Sequence, residues 1–300
     1  MYGIDFHADD YAASMENAGR ILSLAQAGRI DSFSVITNMS CYEDCMEQLR
    51  RHWVHMPRKP RLSVHINLID GFWLSSGESR QIIRNSWVGL LAAGLIPGSK
   101  REKLRGRLSA EIEAQLRVFL EQTKDLSTEE GAPLPLRIDG HVHTHMIPIV
   151  FSALMDALDR MALRERVQFI RCSAEPLWMF FSTPGVTGTI SPVNLTKNLI
   201  LRALSHSVRG KLRKAHIDTG YIFGLALTGE MDLKRVRLLL PKMKAYARRK
   251  NAYLEILTHP GRCLPGEISE EYGPDDRIAF LAPGRDIEYQ MLEKVPEEES

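Results

Sequence analysis

Seven short runs of apolar, often β-branched residues recur along this chain, and stretches with helical period lie between several of them. The runs lie at 2–8, 32–38, 61–67, 136–142, 167–172, 220–226 and 252–260. Strands that alternate with helices form βαβ units, which build a parallel sheet. The sequence has neither a GxGxxG motif nor a P-loop, which favours a closed or nearly closed barrel over a dinucleotide-binding sheet. We therefore predict an α/β barrel of about seven parallel strands.

Two segments fit this alternation poorly. Residues 70–108 form a long insertion with two tryptophans, and such loops in barrel enzymes often form a lid or a substrate wall. The residues from Pro283 onward are polar and end in "VPEEES", which predicts a frayed C-terminal tail over 283–300. The expected organisation is a single barrel domain over 1–282 with an insertion at about 70–108, followed by that tail.

Composition limits the partners and the location of the chain. The net charge of +2 gives no support to a nucleic-acid partner, and 44% hydrophobic with 25% charged residues is typical of a globular protein. No apolar run approaches the roughly 18 to 20 residues that span a bilayer. The N-terminus lacks a basic segment followed by an apolar one, so we expect a cytoplasmic protein with reduced cysteines. A monomer and a homodimer both fit the sequence.

The stretch 197–214, "KNLILRALSHSVRGKLRK", combines six basic residues with an apolar stripe. A solvated helix face is one explanation. The other is a surface that approaches anionic lipid or a lipid-linked, phosphate-bearing glycan. Both explanations remain open at the level of the sequence.

Polar side chains collect where the predicted strands end. In a parallel barrel those ends meet on one face, where reactive groups sit. The polar residues at these positions are Asp9, Asp10, Asn38, His65, Asn67, Asp139, His141, His143, His145, Arg171, Glu255 and His259. Each has an ordinary structural explanation alone, but their joint placement favours a metal site.

The side-chain types limit the chemistry of that site. Carboxylate and imidazole without thiolate suit a divalent ion such as Zn, Co, Mn or Mg. One Asp and two His leave coordination positions open, as a catalytic site requires. Adjacent residues on a chain that leaves a strand point apart, so Asp9 and Asp10 can have separate roles, one as a ligand and the other as a base. In "HVHTH" the period of two would place three imidazoles on one face if the chain is extended.

Four ordered blocks carry a resemblance to a known family. They are "ADDYAASMENAGRILSLAQAGRIDSFSVITN", "VHINLIDG", "RIDGHVHTHMIP" and "LEILTHPG". They resemble the motif blocks of the YdjC-like carbohydrate deacetylases, the family of the chitooligosaccharide deacetylases. The resemblance implies a distorted (β/α) barrel of the glycoside hydrolase/deacetylase type. It also implies divalent-metal-dependent hydrolysis of the N-acetyl group of an amino sugar such as N-acetylglucosamine, or of an oligosaccharide.

The resemblance also implies roles for individual residues. The family's metal ligands correspond to Asp10, His65 and His141, and its general base corresponds to Asp9. His259 of the "HPG" block would protonate the leaving amine. The implied cofactor is one divalent ion, with Mg, Zn, Co and Mn all compatible.

A second set of residues has substrate-facing or supporting roles in this hypothesis. Arg171 would orient or neutralise the base. His143 either supplies a second ligand from the His-x-His pair or lies outside the metal's direct contacts. Asp139 either supports a ligand or is simply buried at a strand turn. The complete candidate set around the site is Arg171, His143, His145, Asp139, Asn38 and Asn67.

The sequence departs from the family pattern around the first block. His7 stands where the family usually has Asn, and Tyr11-Ala12 stands where it usually has "FG". Two other interpretations compete with a deacetylase. One is a different metal-dependent amidohydrolase or phosphoesterase, because "DGHVHTH" resembles their Asp-x-His-x-His motif, although theirs lies on the first strand. The other is a glycan-binding relative without catalysis.

Overall fold

The computed structural model describes residues 2–186 and 190–295. Within those residues seven strands alternate with helices, and each predicted apolar run overlaps one strand. The strands are β1 (Gly3–Tyr11), β2 (Ser32–Val35), β3 (Arg61–Ile66), β4 (Leu136–Gly140), β5 (Val167–Ile170), β6 (Gly220–Phe223) and β7 (Tyr253–Thr258). The α-helices are α1 (Met15–Gln26), α2 (Tyr42–Trp53), α3 (Trp87–Leu95), α4 (Ser99–Thr123), α5 (Pro148–Arg160), α6 (Trp178–Phe181), α7 (Pro192–Lys214), α8 (Leu233–Arg249), α9 (Pro274–Leu281) and α10 (Gly284–Leu292).

The seven strands form one parallel sheet in the order β5-β4-β3-β2-β1-β7-β6. Its two edge strands return toward each other, because Phe169 of β5 forms an isolated parallel bridge with Asp218 just before β6. The amide of Ile170 donates to the carbonyl of Asp218 at 3.1 Å. The sheet is therefore curled into a distorted barrel with a weak seam between β5 and β6, which confirms the predicted fold class.

The interior of the barrel is polar. On β1 the alternation of the strand sends Phe6 and Ala8 into the apolar core, while Asp5 and Asp9 reach hydroxyls of β2. The hydroxyl of Ser32 donates to Asp5 at 2.7 Å. The helices cover the outside of the sheet with apolar side chains, so the walls of the barrel shield the charged groups inside it from water.

The insertion at 70–108 contains a 3₁₀ helix (Leu74–Ser79), α3 and the first turns of α4. Trp73 is buried and Trp87 is half-buried. Trp87 also lines a cavity together with Val142 and Asp276, at the C-terminal face of the barrel. The insertion therefore lies beside the mouth of the barrel, where a substrate wall would have to be.

The prediction of a frayed tail from Pro283 was wrong for residues 284–292, which form α10. Arg285 and Glu288 of this helix are buried. They pair with Asp10 and with the backbone amide of His259, so charges that suggest a solvated tail in the sequence are neutralised inside the protein. The end of the predicted tail, residues 296–300, lies outside the described residues.

Among the described residues, no helix combines the length and the apolar character needed to cross a membrane. The basic stretch 197–214 lies on α7, the crossover helix between β5 and β6.

Candidate active site

Six of the residues singled out in the sequence line one cavity at the C-terminal end of the barrel. They are Asp9, Asp10, His65, His141, His143 and His259, which come from β1, β3, the turn after β4 and the end of β7. The cavity has a volume of about 240 Å³. This is the face on which barrel enzymes carry their reactive groups.

A bulge at the end of β1 presents the two aspartates. The pairing of β1 with β2 shifts register between Ala8 and Tyr11, and Asp10 has a φ of 71°. A left-handed backbone is unfavourable for a residue with a side chain, so the surrounding contacts must hold it. Asp9 and Asp10 both enter the site from adjacent positions, yet they have different main partners.

Asp10 lies between two imidazoles. Its Oδ1 is 3.0 Å from Nδ1 of His141 and 3.3 Å from Nε2 of His65. Its Oδ2 accepts from Nη2 of Arg285 at 2.5 Å. The three side chains Asp10, His65 and His141 offer ligand atoms that all lie within 4.8 Å of one another. These buried groups could hold a metal ion.

Neighbouring charges shift the pKa values of Asp10 and His65. Burial would raise the pKa of Asp10, but Arg285 and His141 hold it well below its usual range. Burial would lower the pKa of His65, but Asp9 and Asp139 raise it to about 9. A cation bound here would take the place of the protons on these imidazoles, because only a neutral imidazole is a ligand.

The donor set fits a divalent ion. Nδ1 of His141 and Nε2 of His65 both face Oδ1 of Asp10, so two imidazole nitrogens and one carboxylate oxygen converge. Nε2 of His141 instead faces Asp276, whose Oδ1 lies 3.3 Å away. Nδ1 of His65 meets Asp139 Oδ1 at 2.6 Å and leaves Nε2 toward Asp10, which is the usual way in which a carboxylate orients a ligating histidine.

Asp9 is held by Arg171 rather than by the imidazole pair. Both guanidinium nitrogens of Arg171 donate to its carboxylate at 2.8 Å, and the hydroxyl of Ser34 donates at 2.9 Å. Nε2 of His7 lies 3.0 Å from Asp9 Oδ1. Burial would raise the pKa of Asp9, but Arg171 and the neighbouring imidazoles keep it well below its usual range. Asp9 is therefore ionised at neutral pH and fixed in one orientation.

His259 faces Asp9 across the cavity. Its Nε2 lies 3.9 Å from Asp9 Oδ2, and its Nδ1 lies 3.6 Å from Oε2 of Glu288. Its side chain is 19% exposed, so the ring stands at the opening of the cavity. Both distances exceed that of a hydrogen bond, so Nε2 can hydrogen-bond to a molecule bound in the cavity.

A family model described as YdjC-like protein matches residues 4–295, nearly the whole chain. The chain belongs to the YdjC-like family. No curated protein matches the sequence.

Two solved structures can be compared with the fold of this YdjC-like protein. A crystal structure from Enterococcus faecalis, provisionally assigned to cellobiose-phosphate cleavage, aligns with a TM-score of 0.54 at 15% identity, over 99% of this chain and 92% of that one. An endo-β-1,4-mannanase of Cellulomonas fimi aligns at 12% identity with a TM-score of 0.38, over 88% of this chain and 68% of that one. The first of these supports the barrel fold.

The stretch "HVHTH" does not behave as an extended strand in this YdjC-like protein. β4 ends at Gly140, and residues 141–146 form a 3₁₀ segment in which Val142 and His143 have φ values of 44° and 58°. The chain is not extended here, so the condition for three imidazoles on one face is not met and the three rings separate. His141 joins Asp10, whereas Nδ1 of His143 meets Oγ of Ser173 at 2.9 Å.

The remaining histidine of this stretch lies below the cavity. Nε2 of His145 lies 3.0 Å from the carbonyl of Arg171. Burial lowers the pKa of His145 to about 4, so its ring is neutral at physiological pH. Burial and the charge of Lys197 likewise hold the pKa of His143 well below its usual range. Both rings are neutral, but only His143 lines the cavity.

The two candidate asparagines bind the turn after β3. Nδ2 of Asn38 donates to the carbonyls of Asn67, Asp70 and Phe72 at 3.3, 3.0 and 3.2 Å. Oδ1 of Asn67 accepts from the amides of Ile69 and Asp70 at 3.1 Å each. Their amide groups hold the backbone of this turn and do not line the cavity.

Several residues of the site were missed in the sequence. Asp276, Arg285 and Glu288 come from α9 and α10, and Lys197 comes from α7. The charges of α9 and α10 carry no motif that distinguishes them from surface charges. Lys197 was noticed only as part of a basic stretch, and the structure places it at the cavity.

Asp70 and Asp276 form a buried carboxyl pair at the edge of the site. Oδ1 of Asp70 accepts from the amide of Gly273, while its Oδ2 has no hydrogen-bond partner among the described residues. Burial and the neighbouring Asp276 raise the pKa of Asp70 to about 8. The pair therefore holds one proton in the folded protein near neutral pH.

We predict that this pair makes folding stability depend on pH. The folded protein binds the proton more tightly than the unfolded chain, so stability falls as pH rises from about 4 to about 8. In Asp70→Asn the amide nitrogen can donate to Asp276 without a titrating proton, so the decline should become shallower. We would measure the thermal unfolding midpoint with a chelator present. From pH 5 to pH 8 we expect the midpoint of Asp70→Asn to fall by roughly 3 °C less than that of the wild type. Parallel declines in both proteins would contradict this prediction.

Proposed function

We propose that this YdjC-like protein is a metal-dependent carbohydrate deacetylase that removes the N-acetyl group of an amino sugar or oligosaccharide. The observation that carries the proposal is the division of one cavity into two parts. Asp10, His65 and His141 form a ligand group, and Asp9 and His259 stand beside it with separate supports. The YdjC-like family is related to carbohydrate deacetylases, which agrees with this division.

The ligand group would hold one divalent ion through Asp10, His65 and His141. Such an ion, when bound, increases the acidity of water and stabilises negative charge on a carbonyl oxygen. Asp139 supports the group by fixing the orientation of His65. Carboxylate and imidazole donors suit Zn, Co, Mn or Mg.

The protein's own residues would move the protons. Asp9 accepts a proton from the water that attacks the acetamide carbonyl, and its position is fixed by Arg171 and Ser34. His259 donates a proton to the amide nitrogen so that the amine can leave, and acetate is released. Glu288 lies beside Nδ1 of His259 and accepts a hydrogen bond from its backbone amide, which positions this residue at the cavity.

The His-x-His type of metal hydrolase is the weaker alternative. Such a site would need His141 and His143 to act together on one ion. The two rings separate in the turn after β4, and Nδ1 of His143 meets Ser173. This favours the deacetylase over an amidohydrolase or phosphoesterase of that type.

The proposal predicts acetate release that depends on a bound metal ion and on His141. We would incubate the protein with N-acetylglucosamine, its oligosaccharides and their lipid-linked and nucleotide-linked forms, after chelation and again after adding Zn, Co, Mn or Mg. We expect release from at least one substrate, lost on chelation and restored by one of the ions. His141→Asn should lose both bound metal and activity, while His143→Asn should keep about one ion per chain.

Two results would overturn the proposal. Acetate release that survives complete metal removal would exclude the metal-dependent route. Release of phosphate from a phosphorylated sugar, without acetate from any member of the panel, would favour a phosphoesterase.

A further inference from the structure

Exposed apolar side chains collect on α6 and on the N-terminal half of α7. Of the fourteen large hydrophobic residues that are exposed among the described residues, five lie there: Trp178, Phe181, Val193, Leu199 and Ile200. On α6 and α7, Trp178, Phe181, Val193 and Leu199 are 50%, 54%, 74% and 53% exposed. Scattered apolar residues are normal on a surface, but a concentration of this kind marks a contact region.

The same segment carries positive charge without negative charge. From Pro176 to Ile217 the sequence contains six Lys or Arg and no Asp or Glu. Arg202 and Lys211 are exposed on α7, and Arg213 and Lys214 follow at its end. We call this combination of exposed apolar and basic side chains on α6 and α7 the α6–α7 surface.

One cavity is lined by both apolar and basic side chains of the α6–α7 surface. It has a volume of about 560 Å³ and is lined by Trp178, Leu199, Arg202 and His206, among others. The hydroxyl of Ser205 at this cavity is buried and has no hydrogen-bond partner among the described residues. The cavity therefore offers an apolar wall, a cation and an unused hydroxyl together.

The α6–α7 surface is close to the candidate active site. Lys197, on the first half of α7, lines the cavity of Asp9 and Asp10. α3 packs on α5, with Gly94 against Ile149, and its exposed apolar side chains are not counted in this surface. Through Lys197, the α6–α7 surface begins beside the mouth of the barrel.

We propose that the α6–α7 surface docks on an anionic phospholipid bilayer and so presents the candidate active site to an amino sugar anchored in that membrane. The apolar end of α7 would enter the boundary between headgroups and acyl chains, with Trp178 at the depth that tryptophan prefers. The basic end would contact lipid phosphates. A protein partner fits less well, because the segment carries six basic residues and no acidic one, whereas charged residues are depleted in the core of protein–protein interfaces.

Binding to vesicles tests the docking directly. We would measure the partition of the purified full-length protein onto phosphatidylcholine vesicles with and without about one third phosphatidylglycerol, at low and high salt. We expect binding only to the anionic vesicles, weakened by salt. The pair Phe181→Ser with Leu199→Ser should weaken partition tenfold or more, because two buried apolar side chains are lost. Lys211→Gln with Lys214→Gln should weaken it about 25-fold, at roughly fivefold for each basic group that is lost.

Matched controls lie on α2, which crosses between β2 and β3, away from β5 and β6. Val54 follows α2 and is 70% exposed, and Arg51 in the last turn of α2 is also exposed. Val54→Ser and Arg51→Gln should bind anionic vesicles like the wild type. Docking would be excluded if no vesicle is bound or if these controls lose binding equally. It would also be excluded if the α6–α7 variants instead dissociate a dimer in light scattering, which would identify a second copy as the occupant.

The substrate part of this proposal rests on the proposed deacetylase function, and a second assay keeps the two apart. We would compare acetate release from N-acetylglucosamine oligosaccharides in solution with release from an alkyl N-acetylglucosaminide embedded in the vesicles. The docking variants should lose tenfold or more in kcat/KM on the embedded substrate and keep their activity in solution. Equal losses on both would overturn the docking role. Absence of acetate in both assays, with vesicle binding intact, would overturn the deacetylase but leave the docking.

Discussion

Arg171→Met should destabilise the protein by about 3–5 kcal/mol, the largest effect on stability that we expect from one substitution in the barrel interior. The guanidinium is fully buried and forms ion pairs with three carboxylates. It binds both oxygens of Asp9, lies 3.0 Å from Asp139, and has its Nε 2.5 Å from Glu255. Methionine fills much of the same volume but leaves these carboxylates without their shared cation. Chemical denaturation of the metal-free protein would measure the loss.

Two further variants show whether the shared cation is the cause. Arg171→Lys keeps the charge but cannot form the two parallel bonds to Asp9, so its loss should be smaller than that of Arg171→Met. Arg105→Met removes a bidentate pair with Asp156 at the partly exposed surface, and it should cost at most about 1 kcal/mol. If Arg171→Met unfolds at the same denaturant concentration as the wild type, the carboxylates are protonated or hydrated in the barrel, and the charge balance described above is wrong.

The barrel could be predicted from the sequence because its signal is local and repeated. Each strand is a short apolar run, and the strand–helix alternation leaves few topologies open. The weak seam between β5 and β6 could not be predicted in this way. It depends on the single bridge of Phe169 and Asp218, and no local pattern reports how far a curled sheet closes.

The candidate site could be predicted where its reactive side chains lie at the ends of strands. Asp9, Asp10, His65, His141 and His259 were all named from that rule, and one cavity collects them. Asn38 and Asn67 also lie at strand ends, yet their side chains form hydrogen bonds with backbone groups. A polar side chain at a strand end can serve either purpose, and only its hydrogen bonds distinguish the two.

The parts of the site that could not be predicted come from long-range packing and from unusual backbone. Arg285 lies 275 positions from Asp10 in the sequence, and nothing in the helical pattern of α10 indicates that it turns inward. The separation of the histidines after β4 depends on left-handed conformations at Val142 and His143, which a β-branched residue and a histidine adopt only when the surrounding structure imposes them.

Asp9→Asn should lower kcat by about 10² to 10⁴-fold, the range in which a positioned general base contributes, while bound metal and KM stay near those of the wild type. The amide keeps the size of the carboxylate but cannot take a proton from water. Arg171 retains Asp139 and Glu255, so the fold should survive the substitution. Asp139→Asn is the matched control, because Asp139 also pairs with Arg171 but does not line the cavity, and its loss in kcat should be smaller. Loss of the metal in Asp9→Asn would show that Asp9 is a ligand, and unchanged kcat would show that another group takes the proton.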